Sequence, residues 1–372
     1  MGSRRANGEG TISKRGDGRW CARVSLPNGK RKALYGKTRG EVAEKLTATL
    51  KSVQDGVPVP SDVLTVGGFL RTWLDGRTAE VRPTTWARYD SLVRLHAAPA
   101  LGRLRLARLQ PEHLKALYSE LLGSMSPRSV QQLHQVLRRA LEDAVHWGHV
   151  QRNVARLVKA PRPQRKEPRT WTAQVASRFL ASVAEDRLYA LYAVALKTGM
   201  RQGELLGLHW RDVDLDRAFL QVRHSLQWVK GKGGVLFEPK TRRSRRRVRL
   251  GQSVVDALRV HRRAQAEERL ALGGAWDDHG LVFPNELGRP LEGTNLSRQY
   301  KRRVKRAGLP IIRFHDLRHS CATILLTQGV HPKVVSELLG HSSIVVTLDT
   351  YSHVLEDMQQ SAVDAMETAL GG

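Results

Sequence analysis

Residues 315–353 read HDLRHSCATILLTQGVHPKVVSELLGHSSIVVTLDTYSH, and they form the most informative stretch of the chain. The apolar spacing predicts two helices here, at about His315–Gln328 and Pro332–Leu339. His315 and Arg318 are three residues apart, so both side chains emerge on one helix face and can reach the same group. His341 and Tyr351 follow the second helix. The stretch therefore predicts a cluster of basic side chains around a tyrosine.

Two further basic side chains precede this stretch, each in a short motif. Arg201 lies in TGMRQGELLGL, residues 198–208, and Lys240 lies in PKT, residues 239–241. Strands are predicted at Phe219–His224, Leu226–Lys230, Val235–Lys240 and Arg245–Leu250. Helices are predicted from the N-cap Thr172 to about Leu208, and at Ser253–Glu268, Asn295–Ala307 and Leu355–Ala369. Residues 169–372 are thus expected to form a mainly helical domain with a small antiparallel sheet.

The ordered series Arg, Lys, His-x-x-Arg, His, Tyr resembles the tyrosine recombinase (phage integrase) family. A single motif of this kind would be weak, whereas the complete series in order is specific. The resemblance implies that five basic side chains bind and activate a scissile DNA phosphate: Arg201, Lys240, His315, Arg318 and His341. It implies that Tyr351 is the nucleophile and that residues 169–372 are the catalytic domain.

These residue types suit phosphodiester chemistry. Attack on a phosphodiester places further charge on its non-bridging oxygens, which Arg201 and Arg318 can neutralise with forked hydrogen bonds. Tyrosine has a reference pKa of about 10, so Tyr351 must lose its proton during attack, and His315 is the candidate base. Lys240 can protonate the departing 5′ oxygen. The phosphotyrosyl bond retains the energy of the broken phosphodiester, so rejoining needs no ATP and we expect no cofactor.

Some of these residues also have simpler explanations. Arg201 and Glu204 are three residues apart, and such a pair is commonly a surface ion pair. Beside the catalytic set, we expect Glu204, Asp316 and His319 to support the residues that touch DNA, against the alternative of simple capping or surface roles.

A metal site and a different acid were also considered. His315 and His319 have the i, i+4 spacing of zinc ligands, but no third ligand completes a site and Arg318 between them would repel a cation. We therefore expect no metal. Lys230 and Lys232 compete for the role of the acid.

An all-helical domain is predicted over residues 65–158, and by resemblance it is a SAM-like core-binding domain. Helices are expected at Val66–Leu74, Pro83–His96 and Pro111–Leu122, and from Pro127 onward. Ser126 is the predicted N-cap of the last helix, with Pro127 at its first position. Proline-containing linkers are expected at Asp55–Ser61 and Pro161–Pro168.

Residues 1–54 are predicted to form a three-stranded sheet with one helix, resembling the arm-binding domain of integrases. Apolar and polar residues alternate from Arg19 to Leu26, and turn signals on both sides predict flanking strands at about Thr11–Arg15 and Arg31–Tyr35. Thr38 and Glu41 form a predicted capping box. Residues 1–51 carry 13 basic and 4 acidic side chains, so we expect DNA contacts there. The DNA-binding candidates are Arg19, Arg23, Lys30, Arg31 and Lys32, with Arg242, Arg243 and Arg245 in the last domain.

The composition fits a DNA partner. The 372 residues carry 62 Lys and Arg against 35 Asp and Glu, a net charge of +27, which implies a large polyanion. No apolar run is long enough for a membrane span, and residues 1–10 do not resemble a signal peptide. We expect a protein that acts on DNA in the cytoplasm of a bacterial host, with no membrane partner. The two cysteines, Cys21 and Cys321, are expected to be reduced and structural.

The sequence thus predicts a multidomain α+β protein that recombines DNA site-specifically, as a phage or integrative-element integrase does. The resemblance implies that cleavage and rejoining pass through a covalent 3′-phosphotyrosyl intermediate and a Holliday junction. It also implies the expected partners, which are double-stranded attachment-site DNA, a homotetramer on that DNA, and an excisionase or DNA-bending accessory protein. The alternatives are a chromosome-dimer-resolving recombinase, a type IB topoisomerase, and a non-catalytic regulator or decayed integrase.

Overall fold

The computed structural model of the chain describes residues 11–25, 31–54, 63–164, 168–238, 245–341, 343–351, 363–364 and 366–371. The chain divides into two compact units, Met1–Gln164 and Arg165–Gly372. The first unit contains a small sheet with one helix, followed by an all-helical part. The second unit is mainly helical and carries short antiparallel strands. The α+β class predicted from the sequence is confirmed.

The first unit begins with an antiparallel sheet in the order β1-β2-β3, followed by α1. The elements are β1 (Thr11–Lys14), β2 (Trp20–Ser25), β3 (Arg31–Gly36) and α1 (Arg39–Gln54). Ala22, Val24 and Leu34 pack against Val42 and Leu46, so the predicted amphipathic face is the one that α1 covers.

The predicted capping box is half formed. The Thr38 hydroxyl accepts from the Glu41 amide at 3.2 Å, but the Glu41 carboxylate accepts from the Lys37 amide at 2.9 Å rather than from Thr38. The Glu41 side chain therefore binds the backbone at Lys37, one residue before the predicted partner Thr38.

The all-helical part contains α2 (Val66–Gly76), α3 (Pro83–Leu92), α4 (Ala98–Leu101), α5 (Pro111–Leu122) and α6 (Pro127–His146). The single helix predicted over Pro83–His96 is interrupted, because a π-helical turn at Val93–Ala97 joins α3 to α4. Ser126 caps α6 as predicted, accepting from the Ser129 amide at 3.2 Å.

Up to residue 351, the described residues of the second unit contain eight α-helices: α7 (Ala173–Ser182), α8 (Tyr189–Thr198), α9 (Gln202–Leu206), α10 (Gln252–Leu272), α11 (Gly293–Arg306), α12 (Asp316–Thr327), α13 (Pro332–Leu339) and α14 (Ile344–Thr350). Helix α8 is buried on nearly all sides, and its Tyr192 packs against Phe179 and Tyr300. The sequence did not predict α14, which is short and opens with the β-branched run Ile344–Val346, a poor helix former. Most of the helix predicted at Leu355–Ala369 lies outside the described residues.

The strands of the second unit form two sheets rather than the one predicted. They are β4 (Val213–Asp214), β5 (Phe219–Val222), β6 (Ser225–Val229), β7 (Gly233–Phe237) and β8 (Arg246–Arg249). β8 returns to pair with β5, with Leu220 opposite Val248, in the order β4-β5-β8. β6 and β7 form a separate hairpin whose turn contains Gly231 with φ +78°. The pairing of β5 with β8 spans residues too distant for local periodicity to reveal.

Two expectations from composition can be compared with the structure. Cys21 and Cys321 are both free thiols and both buried. Among the described residues, no helix combines the length and apolarity needed to cross a bilayer.

Candidate active site

A buried carboxylate organises the first part of the site. Arg201 is the residue before α9, and its Nη1 donates to Glu204 Oε1 at 2.7 Å while its amide donates to Oε2 at 3.1 Å. Glu204 is only 4% exposed and also accepts from Arg246 Nη2 at 2.9 Å. Burial alone would raise the pKa of Glu204, but the two guanidiniums outweigh it and hold the pKa below its ordinary value. The Arg201–Glu204 pair is therefore not the ordinary surface ion pair considered from sequence.

Arg318 projects from α12 into the protein interior. Its Nη1 donates to the carbonyls of Gly199 at 2.7 Å and Leu339 at 2.8 Å, while its Nη2 is buried without a partner. Burial, and then the charge of Arg201, lower the pKa of Arg318 to about 9, so the guanidinium is still cationic at neutral pH. Gly199 has φ +61°, and a Cβ there would lie 2.4 Å from Leu339, so this approach requires glycine.

The C-terminus of α13 brings His341 to the two arginines. Arg201 Nη2 donates to the Gly340 carbonyl at 3.0 Å, and this carbonyl directly follows the one bound by Arg318. Gly340 ends α13 with φ +67°. His341 Nδ1 is hydrogen-bonded to the hydroxyl of Thr347 on α14 at 2.7 Å. Burial, and then the charges of Arg318 and Arg201, lower the pKa of His341 to about 3, so its ring is neutral at pH 7.

Tyr351 is buried, and its hydroxyl is held by a histidine. The hydroxyl lies 2.8 Å from His319 Nδ1, and the tyrosine is only 1% exposed. Its ring belongs to an apolar cluster with Leu326 and Leu339, and burial raises its pKa. Burial, and then His315, lower the pKa of His319 to about 4. The neutral ring of His319 can therefore accept a hydrogen bond from the hydroxyl.

His315 lies at the N-terminus of α12, directly before its first residue. Its ring is 5.4 Å from that of His319 and edge-on to it. Loss of hydration, and then the charge of Arg318, lower the pKa of His315. His315 and His319 both line a cavity of about 830 Å³, together with Gln202 and Lys301. The sequence predicts His315 as the candidate base, whereas in the structure it is His319 that is hydrogen-bonded to the Tyr351 hydroxyl.

Asp316 supports a neighbouring arginine and the start of α12. Its carboxylate accepts from the Arg313 amide at 2.9 Å and from the Arg313 guanidinium at 2.7 and 3.0 Å. Asp316 is buried, which alone would raise its pKa, but the hydrogen bonds from Arg313 lower it.

The lysine candidates lie on or after the β6–β7 hairpin. Lys240 lies outside the described residues, as do Arg242 and Arg243. Lys230 and Lys232 are exposed in the turn between β6 and β7. Arg245 is exposed and forms an ion pair with Glu238.

The DNA-binding candidates within residues 1–54 do not lie on one face of the sheet. Arg23 is opposite Ala33 and Arg31 is opposite Ser25, so both lie on the face that α1 leaves open. Lys32 is opposite the buried Val24 and lies on the face that α1 covers. Arg19 pairs with Asp17 at 2.8 Å in the preceding turn, and Lys30 lies outside the described residues.

Sequence reasoning missed Arg246. Its Nε donates to the Leu338 carbonyl at 2.7 Å, and its Nη1 is buried without a partner. In the sequence it lies inside a run of basic residues, and nothing there distinguishes it from its neighbours. Three guanidiniums, those of Arg201, Arg246 and Arg318, therefore surround one carboxylate beside His341. Guanidiniums that still have nitrogens without hydrogen-bond partners can donate forked hydrogen bonds to a phosphate.

Comparisons with known proteins show the family of the chain. The model of the phage integrase family matches residues 170–358, and that of the N-terminal SAM-like domain of phage integrases matches residues 65–122. An integrase of Streptomyces ambofaciens is 33% identical over 383 residues, covering 99% of this chain and 98% of its own. A tyrosine recombinase XerC-like protein of Caldanaerobacter subterraneus is 32% identical over 361 residues, covering 91% of this chain and 92% of its own length.

The chain belongs to the phage integrase family. It is a tyrosine-type site-specific DNA recombinase. Among solved structures, the Tn1549 transposon integrase in complex with a circular intermediate DNA superposes with a TM-score of 0.69 at 20% identity, covering 82% of this chain and 99% of its own. A lambda integrase dimer bound to a core site gives a TM-score of 0.58 at 20% identity, covering 94% and 96%. These likenesses show the same fold.

Proposed function

We propose that Arg201, Arg318 and His341 hold the scissile phosphate of an attachment site and that Tyr351 attacks it. The observation that carries this proposal is the convergence of both arginines on the adjacent carbonyls of Leu339 and Gly340, directly before His341. The buried and unpartnered Nη2 of Arg318 is a donor for a phosphate oxygen. Such donors stabilise the charge that develops during attack.

The reaction needs two proton movements. The Tyr351 hydroxyl loses its proton as its oxygen bonds to phosphorus, and the 5′ oxygen gains a proton as it leaves. We assign the first proton to His315 as base, with His319 positioning the hydroxyl through its 2.8 Å hydrogen bond. Lys240 is the proposed donor of the second proton. A 5′ hydroxyl of the partner strand then attacks the 3′-phosphotyrosyl bond, which restores a phosphodiester and releases the Tyr351 oxygen, and this oxygen regains a proton. Exchange of the first pair of strands forms a Holliday junction, and exchange of the second pair resolves it.

The rest of the chain would bind and arrange DNA. We propose an arm-binding domain at 1–54, a core-binding domain at 65–158 and a catalytic domain at 169–372. The net charge of +27 and the basic open face of the first sheet support duplex DNA as the partner. A lambda integrase tetramer bound to a Holliday junction, with a TM-score of 0.56, supports a homotetramer on DNA. We also propose an excisionase or DNA-bending accessory protein, and action in the cytoplasm of a bacterial host.

The test is covalent capture on a nicked duplex from the DNA beside the coding region. The wild type is expected to form a protein–DNA adduct, and Tyr351→Phe to form none while binding the duplex normally, because only the attacking oxygen is removed. Tyr189→Phe changes a partly buried tyrosine of α8 and should form the adduct as the wild type does. An adduct with Tyr351→Phe would refute the nucleophile. A wild type that binds this DNA but never forms an adduct would favour the non-catalytic regulator.

A further inference from the structure

Three potential metal ligands meet outside the active site. His209 directly precedes the short 3₁₀ turn Trp210–Asp212, and His224 lies in the connection between β5 and β6. His209, Asp212 and His224 each offer one ligand atom, and these three atoms lie within 4.8 Å of one another. His209 and Asp212 are 7% and 6% exposed. The cluster therefore lies mostly beneath the surface, at the base of the β6–β7 hairpin.

One nitrogen of this cluster has no partner in the protein. His224 Nδ1 is buried and makes no hydrogen bond. A buried polar atom without a partner costs roughly 1–3 kcal/mol in proteins, so its presence requires an explanation. A metal ion would use its lone pair.

His209 is held in a form that can bind a metal. Its Nδ1 lies 3.0 Å from the Gly207 carbonyl, and since a carbonyl only accepts, Nδ1 carries the ring proton. Nε2 then keeps the lone pair, and a backbone carbonyl that fixes the tautomer is a common companion of histidine ligands.

Positive charge near the cluster is the main argument against a cation. Arg223 Nε lies 3.1 Å from Asp212 Oδ1, and Arg211 is also close enough to His209 to disfavour its protonation. The Arg223 side chain is 56% exposed and also binds Gln221, so it can leave Asp212 at little cost. The carboxylate has a second oxygen in any case, and one carboxylate offsets part of a dication's charge.

We propose that His209, Asp212 and His224 bind a divalent transition-metal ion of the zinc class. Two imidazoles and one carboxylate match the ligands that Zn²⁺ accepts, whereas Mg²⁺ and Ca²⁺ require oxygen ligands. Ligand atoms around a tetrahedral Zn²⁺ are roughly 3.4 Å apart. The three ligand atoms, which lie within 4.8 Å of one another, would therefore draw closer together on binding the ion.

The proposed ion would connect two segments of the chain, with a water molecule in its fourth coordination position. It would join the turn after α9 to the connection that leads into the β6–β7 hairpin, and the segment after this hairpin contains Lys240. The site is separate from the residues proposed to bind the phosphate, so its test does not depend on recombination.

The experiment uses the untagged full-length chain after treatment with a chelator. Zn²⁺ at about a hundredfold excess over its dissociation constant should raise the thermal unfolding midpoint of the second unit by about 5–10 °C. Elemental analysis after dialysis should give one Zn²⁺ per chain. Co²⁺ should give the visible absorption of a low-symmetry site, and the same concentration of Mg²⁺ should give no shift.

Two variants remove ligands, and a third is a matched control. His224→Gln changes a half-buried side chain and Asp212→Asn is isosteric, so both should fold and both should lose the Zn²⁺ shift. His279→Gln removes an exposed histidine 3.2 Å from Asp277 and should keep the shift. The proposal is overturned if Zn²⁺ causes no shift in the wild type, if both ligand variants keep the shift, or if Mg²⁺ reproduces it.

Discussion

Replacing Glu204 with glutamine tests how the arginine cluster is held together. The carboxylate is 4% exposed and is the shared partner of Arg201 and Arg246. Glutamine keeps the size of the side chain but removes the charge and places an amide donor against two guanidinium donors. The variant therefore leaves the buried Arg246 and the partly exposed Arg201 without their counter-charge.

The expected cost follows from this burial. Removing one partner of a buried ion pair costs about 3–5 kcal/mol, because the other charge stays buried without compensation. Arg201 is 36% exposed and can be partly resolvated, so we expect the lower end, about 3 kcal/mol. For a unit of this size, about 1 kcal/mol corresponds to roughly 2–4 °C, and the unfolding midpoint should fall by about 6–12 °C.

The dependence on pH provides a second measurement. The native pKa of Glu204 lies below its ordinary value of 4.5, so the stability it contributes is present above that value and is lost as the pH falls through the native pKa. The stability gap between wild type and Glu204→Gln should be constant from pH 8 to about pH 5.5 and should narrow only at lower pH.

Scanning calorimetry of the full chain across this pH range is the assay. Glu238→Gln is the control, because its ion pair with Arg245 is 53% and 71% exposed and should contribute at most about 1 kcal/mol. The reasoning is refuted if Glu204→Gln unfolds within 1 °C of the control at pH 7.5. It is also refuted if the gap does not narrow in acid.

Three further predictions concern the reaction. In single-turnover adduct formation, His315→Gln should slow the reaction by about 10²–10⁴-fold, as expected for loss of a base. His319→Gln should slow it by less. If His319→Gln has the larger effect, His319 is the base. Lys240→Ala should form the adduct slowly on normal DNA, and a 5′-thio leaving group should restore the rate because a thiolate can leave without being protonated. If only Lys230 or Lys232 variants are rescued in this way, that lysine is the acid. Truncation before Leu64 should spare cleavage of a short core duplex while weakening binding to the full attachment site and reducing its salt dependence; unchanged integration would exclude an arm function.

The sequence was most informative where local pattern and residue chemistry coincide. Period-two alternation predicted β2, and Ser126-Pro127 predicted the start of α6, because both depend on neighbouring residues. The family was recognisable because its residue types are chemically distinctive and keep their order, and the comparisons confirm it.

The contacts that the sequence did not predict join segments that are distant along the chain. Arg246 reaches Glu204 across 42 residues, and Arg318 reaches Gly199 across 119, so no local period contains either contact. His319 was expected only to support the site because its helical position does not show where Tyr351 lies. The cluster of His209, Asp212 and His224 was missed for a similar reason, since His224 joins it only when β5 and β6 are in place.

The charge balance of the site gives a reason for a single carboxylate, Glu204, among three arginines. With no carboxylate, three guanidiniums would face one another largely out of water, at a cost that the fold could not bear. A second carboxylate would halve the net positive charge of the cluster and weaken its attraction for a phosphate. Glu204 alone leaves an excess of positive charge, and the unpartnered nitrogens of Arg246 and Arg318 mark where hydrogen bonding is incomplete. Under the proposed function, a phosphate bound beside these nitrogens would offset the excess charge and accept their hydrogen bonds, so the arrangement that leaves them unpartnered in the free protein is the one that would favour the phosphate.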